Sequence, residues 1–145
     1  MPGVVRLSID SDLNQVEFIA RAVRSLCDNL LGREDAEAVE LAVVEAMNNI
    51  IKHGYQGRRG EAVDVNVTLT RSEVEVEVVD HATPIPEHIV KGGEPLAFDF
   101  DATDLAGLPE GGMGLTLIRM SMDEVDYVSR PGENRLRMVK RIAAR

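Results

Sequence analysis

Apolar and polar residues alternate from Val4 to Ile9, which predicts a short strand. Asp10, Ser11 or Asp12 then offers a cap for a helix running to about Leu31, and Gln15 is placed to close a capping box on Asp12. Within that helix Leu13, Val16, Ile19, Ala20, Val23, Leu26, Cys27 and Leu30 form one apolar stripe. Glu17, Arg21, Arg24 and Asp28 fall outside it, on a solvated face. Gly32 suits a left-handed C-cap. Asp35 and Glu37 suit the start of a second helix, where acidic groups are favoured. From Ala36 to Ile51 this helix is apolar on nearly every side, the pattern of a buried helix. Gly54 lies just past it.

A polar turn from Gln56 to Gly60 leads into two alternating stretches. Val63, Val65, Val67 and Leu69 share one face of the first, Ala62 to Leu69. Val74, Val76 and Val78 share one face of the second, Glu73 to Val79. With Thr70-Arg71-Ser72 between them they predict an antiparallel hairpin, buried on one side and acidic on the other. Periodicity fades from His81 to Gly112, a stretch with four of the six prolines. About 30 residues without pattern inside one domain tend to be functional. They are read as a lid, about 92–112, with a short helix near Glu87 to Val90. Gly111-Gly112-Met113-Gly114 then opens an amphipathic helix, Leu115 to Met122. Val125 to Ser129 predicts a strand, Pro131 to Asn134 a turn, and Arg135 to Ile142 a last strand. This order specifies an α+β fold in one domain, 1–145. It is a two-layer α/β sandwich with a mostly antiparallel mixed sheet and helices on one face.

Composition narrows the partners. A formal net charge of −9 argues against nucleic acid and against an anionic membrane, since both are held by basic patches. With three Phe, two Tyr and no Trp, the core must be aliphatic. The single cysteine, Cys27, allows no internal disulfide, and its place on the apolar stripe makes it a buried structural thiol. No apolar run approaches the ~18 residues of a membrane span and no signal peptide opens the chain, so a cytoplasmic location is expected.

Three pieces carry candidate chemistry. Glu45, Asn49 and His53 follow one another at steps of four, and each step turns a helix about 400°, so all three share one face of the apolar helix. That face either meets solvent or serves chemistry: a carboxylate can take a proton from a hydroxyl nucleophile, and an amide oxygen can ligate a hard cation such as Mg2+. Asp80 ends a strand and begins a loop, where it is either a turn former or an acceptor for an exocyclic amine. The glycines at 111, 112 and 114 precede a helix, where backbone N–H groups can approach a phosphate. His81 and His88 have no cysteine or carboxylate cluster beside them, and no metal site is expected there.

Taken together, Glu45 and Asn49 on a helix, Asp80 after a strand, a long loop and Gly112-Met113-Gly114-Leu115 before a helix resemble the Bergerat-fold (GHKL) ATPases. Within that superfamily the chain is similar to the small serine/threonine kinases that act as anti-sigma factors in bacterial partner switching. EAMNNIIKHGY (45–55) and GGMGLTLIRMSMDEV (111–125) carry the likeness, which extends over nearly the whole chain. The resemblance implies a histidine-kinase-like ATPase fold, with ATP and Mg2+ as ligands. Glu45 would be the general base toward a substrate serine or threonine. Asn49 would bind Mg2+, with His53 on the phosphate side. Asp80 would read the adenine amine, with Ala82 in the adjoining turn. Gly112, Met113 and Gly114 would lie along the phosphates, beside Leu115 and Thr116. A small anti-sigma-factor antagonist would be the substrate, a sigma factor or similar regulator a second partner, and a homodimer is plausible. Ala82 departs from the pattern, because the family has a glycine there. If that backbone needed a positive φ or close approach to adenine, a methyl would weaken nucleotide binding and leave a module that works by holding a protein partner.

Overall fold

The computed structural model describes residues 3–86 and 112–143 of the 145-residue chain. Most of the expected lid, and the short helix expected near residues 87–90, lie outside the described residues. Among the described residues five strands form one sheet: β1 (Gly3–Asp10), β2 (Ala62–Leu69), β3 (Glu73–Asp80), β4 (Glu124–Arg130) and β5 (Glu133–Arg141). Their order is β1-β2-β3-β5-β4, and every neighbouring pair is antiparallel, in line with the mostly antiparallel sheet expected. Alternation of period two therefore sorts the side chains cleanly. Val63, Val65, Val67, Val74, Val76, Val78, Leu136 and Met138 are buried on one face. The other face carries cross-strand ion pairs, including Arg135–Glu77 (2.7 Å) and Arg137–Asp126 (3.0 Å).

Three α-helices cover the apolar face among the described residues: α1 (Val16–Asp28), α2 (Arg33–Asn49) and α3 (Gly112–Ser121). The middle one packs against both of the others and against β3 and β5. Its core side is Ala36, Val39, Ala42, Val43, Ala46 and Met47, and Leu41 reaches solvent. The run of apolar residues thus gives a helix enclosed on most sides rather than all. Leu13, expected on the α1 stripe, is also exposed, because residues 13–15 form a 3-10 turn ahead of the helix proper.

Local signals resolved differently in three places. Asp12 does cap, accepting from the Asn14 amide at 2.9 Å, but Gln15 reaches back to the Asp10 amide instead of Asp12. Ser11 is no cap: it is buried, and its hydroxyl donates to Arg58 O and accepts from the Glu61 amide, pinning the turn before β2. Gly32 is extended (φ −66°, ψ 165°) and begins α2, so the left-handed cap expected there does not form.

After Asn49 the central helix widens into a π-helical turn, Ile50–Gly54, closed by Tyr55 N–H to Ile50 O at 2.8 Å. Such turns are rare and concentrate at functional sites. No helix among the described residues is long and apolar enough to cross a membrane.

Cys27 is fully buried in α1, and burial pushes its thiol up to about 11. Desolvation opposes the thiolate, which is the reactive form. In native protein at pH 8 a disulfide reagent should leave Cys27 unmodified. Its labelling rate, followed by release of the coloured thiol, should equal the rate of unfolding.

Candidate functional site

The π-helical turn, the end of β3 and the side of α3 enclose a cavity of about 320 Å³. Ile50, Ile85, Ile118, Leu115 and Leu136 make its walls apolar. Asn49, His53 and Asp80 supply polar groups, and the Tyr127 ring lies along it from β4. An apolar cleft with few convergent polar groups is the usual form of a small-molecule site.

Asp80 is the residue that most needs explaining, because it is only 4% exposed. Burial pushes its carboxyl above the ordinary carboxylate range, since a charge is costly away from water. Three things hold it down: an Asn134 amide hydrogen at 2.8 Å, the Ala82 backbone N–H at 2.9 Å, and the charge that His81 can carry. Both hydrogen bonds go to Oδ1. The Ala82 bond is an Asx-turn, in which a side chain takes the backbone amide two residues on.

The segment after Asp80 is tied down residue by residue. The Tyr55 hydroxyl accepts from His81 N–H at 2.9 Å and donates to Ala62 O at 2.8 Å. His81 Nδ1 lies 2.8 Å from Gly132 O; a carbonyl only accepts, so that nitrogen carries the proton. Asn134 Nδ2 donates to Ala82 O at 2.9 Å, and the Tyr127 hydroxyl accepts from Ile85 N–H at 2.9 Å. Ala82 itself has no positive φ; Gln56 is the one non-glycine residue that does among those described. The methyl at 82 therefore strains no backbone. The close approach falls on Gly54, where an added Cβ would sit 2.7 Å from the Ala82 Cβ. The glycine requirement sits across the contact, in the helix turn.

The remaining sequence-derived residues divide. Asn49, His53, Asp80 and Leu115 come together on the cavity wall. Gly112, Met113 and Gly114 lie in the first turn of α3, which therefore begins at Gly112 and not at Leu115; Thr116 follows one residue on. Leu115 in the wall places that turn alongside the cavity. Glu45 is half-buried one turn before Asn49 and does not line the cavity. Among the described residues no three His, Cys, Asp or Glu side chains cluster as a metal site. One amide oxygen beside a nucleotide's phosphates nevertheless suits Mg2+, which keeps several waters and takes few protein ligands.

Residues 9–140 match the family described as the histidine kinase-like ATPase domain. The chain belongs to that family. Among curated members, an anti-sigma F factor from a Thermoanaerobacter species is 32% identical over 112 residues, 77% of this chain and 73% of that protein. The serine-protein kinase RsbW of Bacillus pumilus is 26% identical over 130 residues, 90% of this chain and 72% of that one. In shape, this ATPase domain resembles the solved RsbU and RsbW domains of a Mycobacterium tuberculosis protein, with TM-score 0.68 and 14% identity. That match covers 99% of this chain and 33% of the larger one. It also resembles the mycobacterial sensor histidine kinase MprB, with TM-score 0.53, 17% identity, and coverage of 94% and 98%. The expected superfamily and fold are thus met.

Four residues of the ATPase-domain site escaped the sequence reading: Tyr55, Tyr127, Ser129 and Asn134. The sequence pattern puts Asn134 in a turn, but it is the second residue of β5 and pairs with Asp80 across the ladder. Tyr55 was the more findable, as one of two tyrosines in an aliphatic chain, because a buried phenol needs partners. Tyr55→Phe removes the hydroxyl and leaves Ala62 O and His81 N–H without it. The expected cost is about 1–3 kcal/mol, read as a lower urea midpoint with unchanged slope.

Proposed function

We propose that the chain is a Mg2+- and ATP-dependent serine/threonine protein kinase. Its substrate would be a small anti-sigma-factor antagonist, and it would also hold a sigma factor or comparable regulator. The single domain over 1–145, with a lid at 92–112 and a cytoplasmic location, belongs to the same reading. The observation that carries it is Asp80: a buried, pre-positioned acceptor at the end of an apolar cavity. A carboxylate there suits the exocyclic amine of adenine and repels the carbonyl that guanine has in its place. The relatives named anti-sigma F factor and serine-protein kinase support the protein partners. A homodimer through β1 is consistent with its place at the sheet edge, where Val4 is exposed.

The residues divide the work of phosphoryl transfer, which is mostly positioning and charge neutralisation. ATP supplies the phosphoryl group. Asn49 would hold Mg2+ by its amide oxygen, with His53 one turn further along the same wall. The backbone amides of Gly112, Met113 and Gly114, with Leu115 and Thr116, would face the phosphates from a helix N-terminus. Glu45 would accept the proton of the substrate hydroxyl. Its position outside the cavity wall suits a group that faces the incoming protein rather than the nucleotide. The same position favours a second reading, a non-catalytic module that regulates by holding a partner.

Glu45→Gln separates the two. Phosphate transfer from labelled ATP to the antagonist should fall at least a hundredfold, in line with the usual contribution of a general base, while ATP affinity holds. Unchanged transfer would remove Glu45 from the chemistry, and no transfer by the parent protein would favour the module.

Mg-ATP at about 100 times its dissociation constant should raise the unfolding midpoint by about 5–10 °C, and Mg-GTP should not. Asp80→Asn should lose that shift. Without nucleotide, the same variant should be more stable than the parent at pH 7. The sign follows from the raised carboxyl: between the ordinary carboxylate range and the raised value, the folded state holds the proton that the unfolded state has released. Parent stability is therefore lost as pH climbs through that window. The advantage of Asp80→Asn should appear there and vanish in more acidic solution. A parent as stable as Asp80→Asn at pH 7 would mean that burial costs Asp80 nothing.

A further inference from the structure

Asn134 stands behind Asp80, off the cavity wall and 2% exposed. Its three polar contacts use the whole side chain. Both amide hydrogens are spent, one on Asp80 Oδ1 (2.8 Å) and one on Ala82 O (2.9 Å). Its oxygen accepts from Ser129 Oγ at 2.7 Å. The amide orientation is decided by those partners. Turning it over would set its oxygen against a carboxylate and a carbonyl, two acceptors facing an acceptor. The backbone reinforces the arrangement, because Asn134 pairs with Asp80 on one side and Ser129 on the other.

We infer that Asn134, locked by Ser129, is a positioning residue that fixes both the direction and the polarity of Asp80, and so decides which nucleobase the cavity accepts. The inference rests on the nucleotide-binding reading above. Two bonds to Oδ1 orient the carboxylate and leave it an acceptor toward the cavity. Because neither amide hydrogen is spare, Asn134 has nothing to donate to a base carbonyl. A purine 6-carbonyl set against Asp80 would face its carboxylate and find no donor in Asn134. The bond to Ala82 O adds a second effect: it holds the turn whose methyl packs on Gly54, so the cavity wall is set from the same side chain. The other groups around Asp80 are the Tyr55 and Tyr127 phenols, neutral at pH 7, and His81, which faces Gly132 O.

Two measurements test this, on parent, Asn134→Leu and Ser129→Ala proteins. The first is the titration of the Asp80 carboxyl carbon by NMR without nucleotide. Loss of the donors should raise its midpoint in Asn134→Leu, and to a smaller extent in Ser129→Ala, where the amide is no longer held. The second is the ratio of ATP to ITP affinity, inosine carrying the 6-carbonyl. ATP binding should weaken about tenfold or more in Asn134→Leu, as for a lost hydrogen bond to a charged group, and the ratio should fall toward one. A purely structural asparagine would lower stability and move neither readout. Unchanged titration and an unchanged ratio in either folded variant would overturn the inference; Ser129→Ala keeps the test alive if Asn134→Leu does not fold. If the parent binds no nucleotide, the nucleobase role falls with the kinase reading. A shifted titration would still establish Asn134 as the group that orients Asp80.

Discussion

A carboxylate that is nearly sealed from water must be met by donors, and the arrangement around the cavity follows from that demand on Asp80. Leaving such a group unpaired would cost several kcal/mol. Its donors come from two places that are far apart in the chain, the turn at Ala82 and the strand at Asn134. The antiparallel pairing of β3 with β5 brings them together, and β4 adds Ser129 from the far side. Sheet register is therefore not background to the site. A slip of one residue would turn Asn134 away from Asp80, and Leu136 and Met138 of the same strand away from the helices.

The helix layer contributes the opposite wall by a local irregularity. A regular helix would continue past Asn49 with unbroken bonding, whereas the π turn opens the last residues before Tyr55. The phenol then bridges to the start of β2 and the end of β3. One aromatic side chain so connects the two layers at the place where the cavity lies. The buried charge makes this region less stable than an apolar one of equal size, a common trade at sites that must recognise a ligand.

Much of this was visible from residue order. The valine alternation of β2 and β3 defined the hairpin and its buried face, and the apolar run of α2 identified the covering helix. Spacing of four placed Asn49 and His53 on one face, where both do meet the cavity. What spacing could not carry was distance along the chain. Asn134 looks like a turn residue because it follows Pro131-Gly132-Glu133, and only its partner 54 residues away makes it something else. Gly32 shows a related ambiguity: a glycine between two helices can end one or begin the next, and φ decides. At Ala82 a motif shows a departure from glycine but not what lies opposite it, which is Gly54.

The contact between positions 54 and 82 has a historical implication. At this spacing the two sites share room for a single methyl group. An alanine at either is neutral or harmful according to the other, which is epistasis imposed by van der Waals radii alone. An ancestor with the methyl on the helix side could reach this arrangement only through an intermediate with glycine at both sites. That intermediate would have been looser but not blocked, so the order of the two substitutions is set by geometry.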